Sequence, residues 1–290
     1  MVLESLIDPL RAKKHPTRLF FLGMLFASVA IIFSLWIFQT QASLIMVFLT
    51  VMISVPLLYG TMAEEEHEDW ILTTESRILR EHSKAVLFIL FLFLGFLVAF
   101  SLWFVFLPAE YSSSVFSIQL DTIRQINSHA VFGITGSSYS DFAYQNVVSI
   151  LTNNIKVMLF CLFFSFFFGS GAIFIITWNA SVIAAAIGTY FHQGLTLSLA
   201  PSFLPGILTY AHIFSLGLFR FMLHGVFEIV GYLLGGLAGG IISMAIIRHG
   251  VSHPLFKKVL YDAGLVFIIG IGFLVVGSLV EVLVTPLFFS

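Results

Sequence analysis

From Val157 through Phe219 the chain carries no Asp, Glu, Lys or Arg, and a second uncharged run extends from Ile229 to Ile247. A bilayer core about 30 Å thick is crossed by about 20 predominantly apolar helical residues, so such runs are long enough to span it. Inside lipid every backbone polar group needs an internal partner, which leaves only helices and closed barrels. The apolar runs here are continuous rather than alternating, and that excludes an outer-membrane barrel. Composition agrees: of 290 residues, 59% are hydrophobic and 10% charged, against about 25% charged in soluble domains. The fold class that follows is an all-α polytopic membrane protein. A net charge of −2 with no large basic block gives no footing for nucleic acid. The single cysteine, Cys161, cannot form an internal disulfide.

Read in order, the chain predicts seven spans. A basic lead with Arg11, Lys13, Lys14 and Arg18 precedes span one at 19–38, and a short link leads to span two at 42–59. The first apolar run is full length and no small-residue cleavage pattern follows it, so it is expected to be retained as a span. The charged segment 63–84 has Glu64, Glu65, Glu66, Glu68 and Asp69 ahead of Arg77, Arg80 and Lys84, and reads as a solvated face or helix start. Span three covers 85–107. These residues, 1–107, form a first region. A polar, serine-rich external segment occupies 108–150, with apolar residues at helical spacing over 142–151 that suggest an interfacial helix. The membrane region proper is 151–290. It holds span four at 157–178, a break at Asn179, and span five at 180–199. A re-entrant or interfacial helix is expected over 206–219, then span six at 221–247 and span seven at 264–282. Lysine and arginine near span ends favour the cytoplasm. The basic segments then all fall inside, with the N-terminus cytoplasmic and the C-terminus outside.

That topology gathers scattered polar residues at the outer level: Asn153, Asn154 and Lys156 at the head of span four, His192 near the end of span five, and Glu281 at the end of span seven. Arg220, His224 and Glu228 follow one another at steps of four, so a helix presents them along one face. Ionisable groups in a span are costly and need partners. One reading pairs Arg220 with Glu228 or Glu281 and leaves His224 to a backbone or asparagine partner, as buried polar groups require. Another makes His224, Glu228 and Glu281 the ligands of a divalent metal, since a His and a Glu four apart share a face. Directly below, Gly231, Gly235, Gly236, Gly239 and Gly240 leave a nearly side-chain-free flank for close helix packing, within the subunit or in a homo-oligomer. The phenylalanines at 163, 164, 166, 167 and 168 read as lipid-facing or core bulk.

The order Asn153-Asn154, Asn179 with Gly188 after it, His224-Gly225-x-x-Glu228 before the glycine run, and Glu281-x-x-x-Thr285-Pro286 resembles the stage II sporulation protein M family of integral membrane proteins. The resemblance covers roughly 142–288, and the first 140 residues show no counterpart. One departure is Asn179-Ala180, where the family often has Asn-Gly. The resemblance implies a membrane-embedded assembly role. The sporulation member is a scaffold for peptidoglycan-degrading partners, but relatives occur in organisms that never sporulate, so sporulation itself does not carry over.

The expectation is therefore a non-enzymatic scaffold of the cell membrane, partnered by the bilayer and by membrane or extracytoplasmic proteins, with no cofactor. Two alternatives stand beside it. One is an intramembrane metal-dependent hydrolase built on His224, Glu228 and Glu281 with Arg220 as charge stabiliser. The other is a transporter whose broken segment lies between 178 and 220.

Overall fold

The computed structural model describes residues 16–71, 75–131, 139–168, 171–198, 207–254 and 256–289. Its helices are α1 (Pro16–Ile37), α2 (Ala42–Ile71), α3 (Glu75–Phe106), α4 (Ala109–Val115), α5 (Ser117–Val131), α6 (Tyr139–Phe168), α7 (Ala172–Ser198), α8 (Ile207–His249), α9 (Phe256–Leu279) and α10 (Thr285–Phe289). A single π-helical turn, Val280–Val284, joins α9 to α10. Among the described residues, seven helical stretches are long and apolar enough to cross a membrane, in agreement with the sequence. The basic lead through Lys14 lies outside the described residues. So do the side chains of the charged segment 63–84 as far as His82, although its backbone is helical over 63–71 and 75–84.

The helices form two groups. α1 packs on α2 and α3, while α8 packs on α6 and α9; α7 touches α2, α3, α6 and α8 and joins the groups. A largely phenylalanine core at α3, with Phe88, Phe93, Phe96 and Phe100 fully buried, fills the first group. There α1 and α3 meet through Gly23 and Gly95: a Cβ on Gly23 would stand 2.5 Å from the carbonyl oxygen of Leu92. Trp103 donates from Nε1 to Ser28 Oγ across the same contact at 3.0 Å. The hydroxyls of Thr50, Ser54, Ser101 and Ser278 bond carbonyls four residues back on their own helices. That satisfies them locally where lipid offers no partner.

Three boundaries differ from the sequence reading. Span four runs over Ala143–Phe167 and span five over Ala172–Thr196, so Asn179 lies inside α7 rather than at a break. Its side-chain amide donates to the carbonyl of Ile175 at 2.8 Å, which lets an asparagine sit mid-helix. One helix ends at Phe168 and the next starts at Ala172, and the Gly-Ser-Gly sequence between them is a better breaker than one asparagine. The re-entrant helix expected over 206–219 is not separate: from Ile207 on it is continuous with span six in one 43-residue helix, α8, about 65 Å long at 1.5 Å per residue. Without a glycine–proline break after Ile207, nothing in the backbone stops helix propagation there. The external segment is largely helical as well, with α4 and α5 covering most of 109–131.

Candidate functional site

α8 is the axis of the polar site, and the step of four that begins at Arg220 continues to Tyr232. Asn154 of α6 is buried at 4% exposure and uses both ends of its amide. Its Nδ2 donates to Glu228 Oε1 at 2.6 Å, and its Oδ1 accepts from the Tyr232 hydroxyl at 2.6 Å. One α6 side chain thus bridges two successive turns of α8.

The chain's end supplies the opposite wall. A Cβ on Gly277 would lie 3.0 Å from Glu228 Cγ, so the glycine admits the glutamate side chain. One turn on comes Glu281, whose carboxyl neighbours that of Glu228. Another turn on, Thr285 Oγ1 stands 3.4 Å from His224 Nδ1. The pairs 277 with 228 and 285 with 224 run antiparallel, and 281 falls between them in that register. Glu281 sits on the π turn, where a widened helical turn re-aims side chains. Thr285 Oγ1 also donates to the carbonyl of Val280 at 3.2 Å, a bond that spans that turn.

The sequence-predicted residues divide accordingly. Asn154, His224, Glu228 and Glu281 come together. Asn153 and Lys156 lie on the exposed side of α6, because positions one and two removed from Asn154 point away from α8. Arg220 places its guanidinium 5.6 Å from the centre of the Tyr190 ring of α7, in the range of a cation–π contact. The Glu228 carboxyl accepts from the Asn154 amide. His192 is exposed, with its ring 6.0 Å from that of Phe104. Among the described residues no group of three or more His, Cys, Asp or Glu is placed to hold a metal ion. The geometry brings His224 to a hydroxyl, while the two glutamates face each other.

Two features escaped the sequence reading. Tyr232 is four residues beyond Glu228, so the helical step already placed it on the polar face. Gln119 of α5, fully buried, accepts from Ser43 Oγ of α2 at 2.7 Å and donates to Ser181 Oγ of α7 at 3.1 Å. Nothing in the local sequence distinguishes it from an exposed glutamine of a polar helix.

The glycine flank packs inside the subunit. Gly231 faces Leu274 and the carbonyl of Gly270 on α9; Gly235 and Gly239 face Met158 and the backbone of Leu162 on α6. Gly236 faces Ala172 of α7, where a Cβ would come within 2.6 Å of the alanine methyl. Gly240 is buried in the same row. These approaches bring three helices close around α8 and hold Asn154 within reach of Glu228 and Tyr232.

Comparison with curated proteins and with solved structures gives no match. The sequence model of the family described as stage II sporulation protein M matches residues 84–286. That extends the resemblance read from the motifs, which began near residue 142, back over the third span, so α3 has its counterpart in the family. The match takes in the whole polar site and well over half of the chain, and the protein therefore belongs to the stage II sporulation protein M family.

Proposed function

We propose that this protein is a membrane-embedded scaffold that assembles partner proteins of the membrane or its outer face, with the polar site as an internal tie rather than a reactive centre. One observation carries the reading: Asn154 commits both ends of its amide to fixing α6 against two turns of α8. A hydrolytic site keeps a polar group open toward substrate, whereas this one closes its groups on each other. Family membership supports an integral membrane role. In this proposal the N-terminus is cytoplasmic and the C-terminus external, because lysine and arginine at span ends then lie inside. The bilayer and outward-facing proteins are the partners, a homo-oligomer is compatible, and no cofactor is required.

The test is purification from native membranes after cross-linking, comparing wild type with Asn154→Leu. Scaffolding predicts a protein partner at fixed ratio with wild type and reduced recovery with the variant at equal membrane abundance. Stoichiometric metal lost with His224→Ala, together with hydrolytic activity, would replace the scaffold by a metal-dependent enzyme. Solute flux in proteoliposomes would replace it by a transporter.

A further inference from the structure

Helix α6 carries two seams on opposite faces. The inner one, Asn154, Met158, Cys161 and Ser165, is buried, with Asn154 on Glu228 and Met158 against Gly235 of α8. The outer one repeats the same three- and four-residue steps: Ser149, Thr152, Lys156, Phe160, Phe163 and Phe167 are all exposed, with Asn153 beside them. Of the seven stretches long and apolar enough to cross a membrane, the one on α6 is the least buried. Its outer seam does not have the composition of a lipid face. Hydrocarbon offers no hydrogen-bond partner, and ionisable groups in spans face a bundle interior or pair with one another. Lys156 nevertheless stands on the outside of the subunit, about 20 Å along the axis from Ala143 and about 16 Å from Phe167, the ends of the span. A lysine near a span end reaches the interface along its stem; this one lies near the middle. Among the described residues no side chain bonds Lys156 or Asn153.

We propose that the outer seam of α6 receives a transmembrane helix of another protein, one that carries an aspartate or glutamate at the level of Lys156. Charge complementarity selects this occupant, because a cation held inside a span is stabilised by an anion at the same depth. Thr152 and Asn153, one turn above, offer hydrogen bonds to the same helix. Below, Phe160, Phe163 and Phe167 offer apolar contact, with the last two rings 4.6 Å apart. A second copy of this chain does not meet the requirement. A two-fold axis through the seam sets Lys156 against Lys156, and the carboxylates within the described spans, Glu228, Asp262 and Glu281, are none of them exposed. An acyl chain leaves both the cation and the amide without a partner. The inference rests on the scaffold reading, and adds where a partner docks and which group it must carry.

The experiment puts a photoreactive phenylalanine analogue in place of Phe163, or of the exposed Phe21 on α1 as control, in the full chain in native membranes, and maps the adducts by mass spectrometry. The expected adduct from position 163 is a transmembrane segment of another protein with an aspartate or glutamate about 10 Å nearer the outer end, the rise from Phe163 to Lys156. Lys156→Glu should lower its yield several-fold and Lys156→Arg should keep it. Both variants should match wild type in membrane abundance and melting temperature, since Lys156 holds nothing inside the subunit. Changing the partner's acid to lysine should restore the adduct with Lys156→Glu. Lipid adducts alone, an adduct to a second copy, a segment without a carboxylate, or the same adduct from position 21 overturns the proposal, whatever the variants do. So does a yield that Lys156→Glu leaves intact. A partner recovered by general cross-linking but not from position 163 defeats the seam alone. No partner in either experiment defeats the scaffold, and the seam with it.

Discussion

Asn154→Leu tests the tie most directly. Leucine has the same branched heavy-atom skeleton as asparagine with bulkier ends, so the substitution leaves no cavity and removes the polar partners. It strands two buried groups, the Tyr232 hydroxyl and one oxygen of Glu228, both bonded at 2.6 Å in the native chain. An orphaned buried group costs about 1–3 kcal/mol in soluble proteins. Hydrogen bonds between helices in bilayers average about 0.6 kcal/mol, because the separated helices also find partners. Asn154 is 4% exposed and walled by α8, so the orphaned groups have no water to turn to, and the first effect outweighs the second. The expected loss is about 2 kcal/mol for Asn154→Leu, and about 1 kcal/mol for Tyr232→Phe, which strands only the Asn154 carbonyl oxygen. Because the two side chains share a bond, the double variant should fall short of additivity by about 1 kcal/mol. Reversible unfolding in mixed micelles measures all three. Asn154→Leu within about 0.5 kcal/mol of wild type, the range of a neutral surface change, would refute the reasoning. Strict additivity with Tyr232→Phe would refute it as well.

Two further outcomes follow from packing. A methyl on Gly239 meets the backbone carbonyl of Leu162, which cannot rotate aside; Gly239→Ala should cost about 1–3 kcal/mol in the same unfolding assay. Gly264→Ala, where a Cβ meets nothing within 4 Å, should be neutral or stabilising and serves as the control. Gln119→Leu removes the links to Ser43 and Ser181; hydrogen exchange should accelerate in α5 while α8 keeps its protection. Equal acceleration in both helices would mean that Gln119 does not hold α5 locally.

Part of the site was legible because helical geometry is local. His224 and Glu228 share a face at any four-residue step, Tyr232 belongs to the same series, and the glycine flank below them is written in consecutive positions. Asn153 and Asn154 show the limit of such reading. Both are polar, adjacent and at one membrane level, yet only Asn154 faces α8, and that choice depends on the rotation of α6 about its axis. The partner of Glu228 was equally hidden. Charge alone favours Arg220, but Arg220 is eight residues away along a rigid helix with Tyr190 beside it, while Glu281 is brought opposite by the antiparallel return of the chain.

The amino-acid sequence by itself determined the all-helical membrane class and the seven spans, because burying apolar length in lipid is a property of each segment alone. Tertiary structure decided which face of α6 meets α8, and that a glutamate on a π turn comes beside Glu228. Those outcomes depend on helix rotation and register, which are set by how neighbouring surfaces fit and not by any one segment's composition.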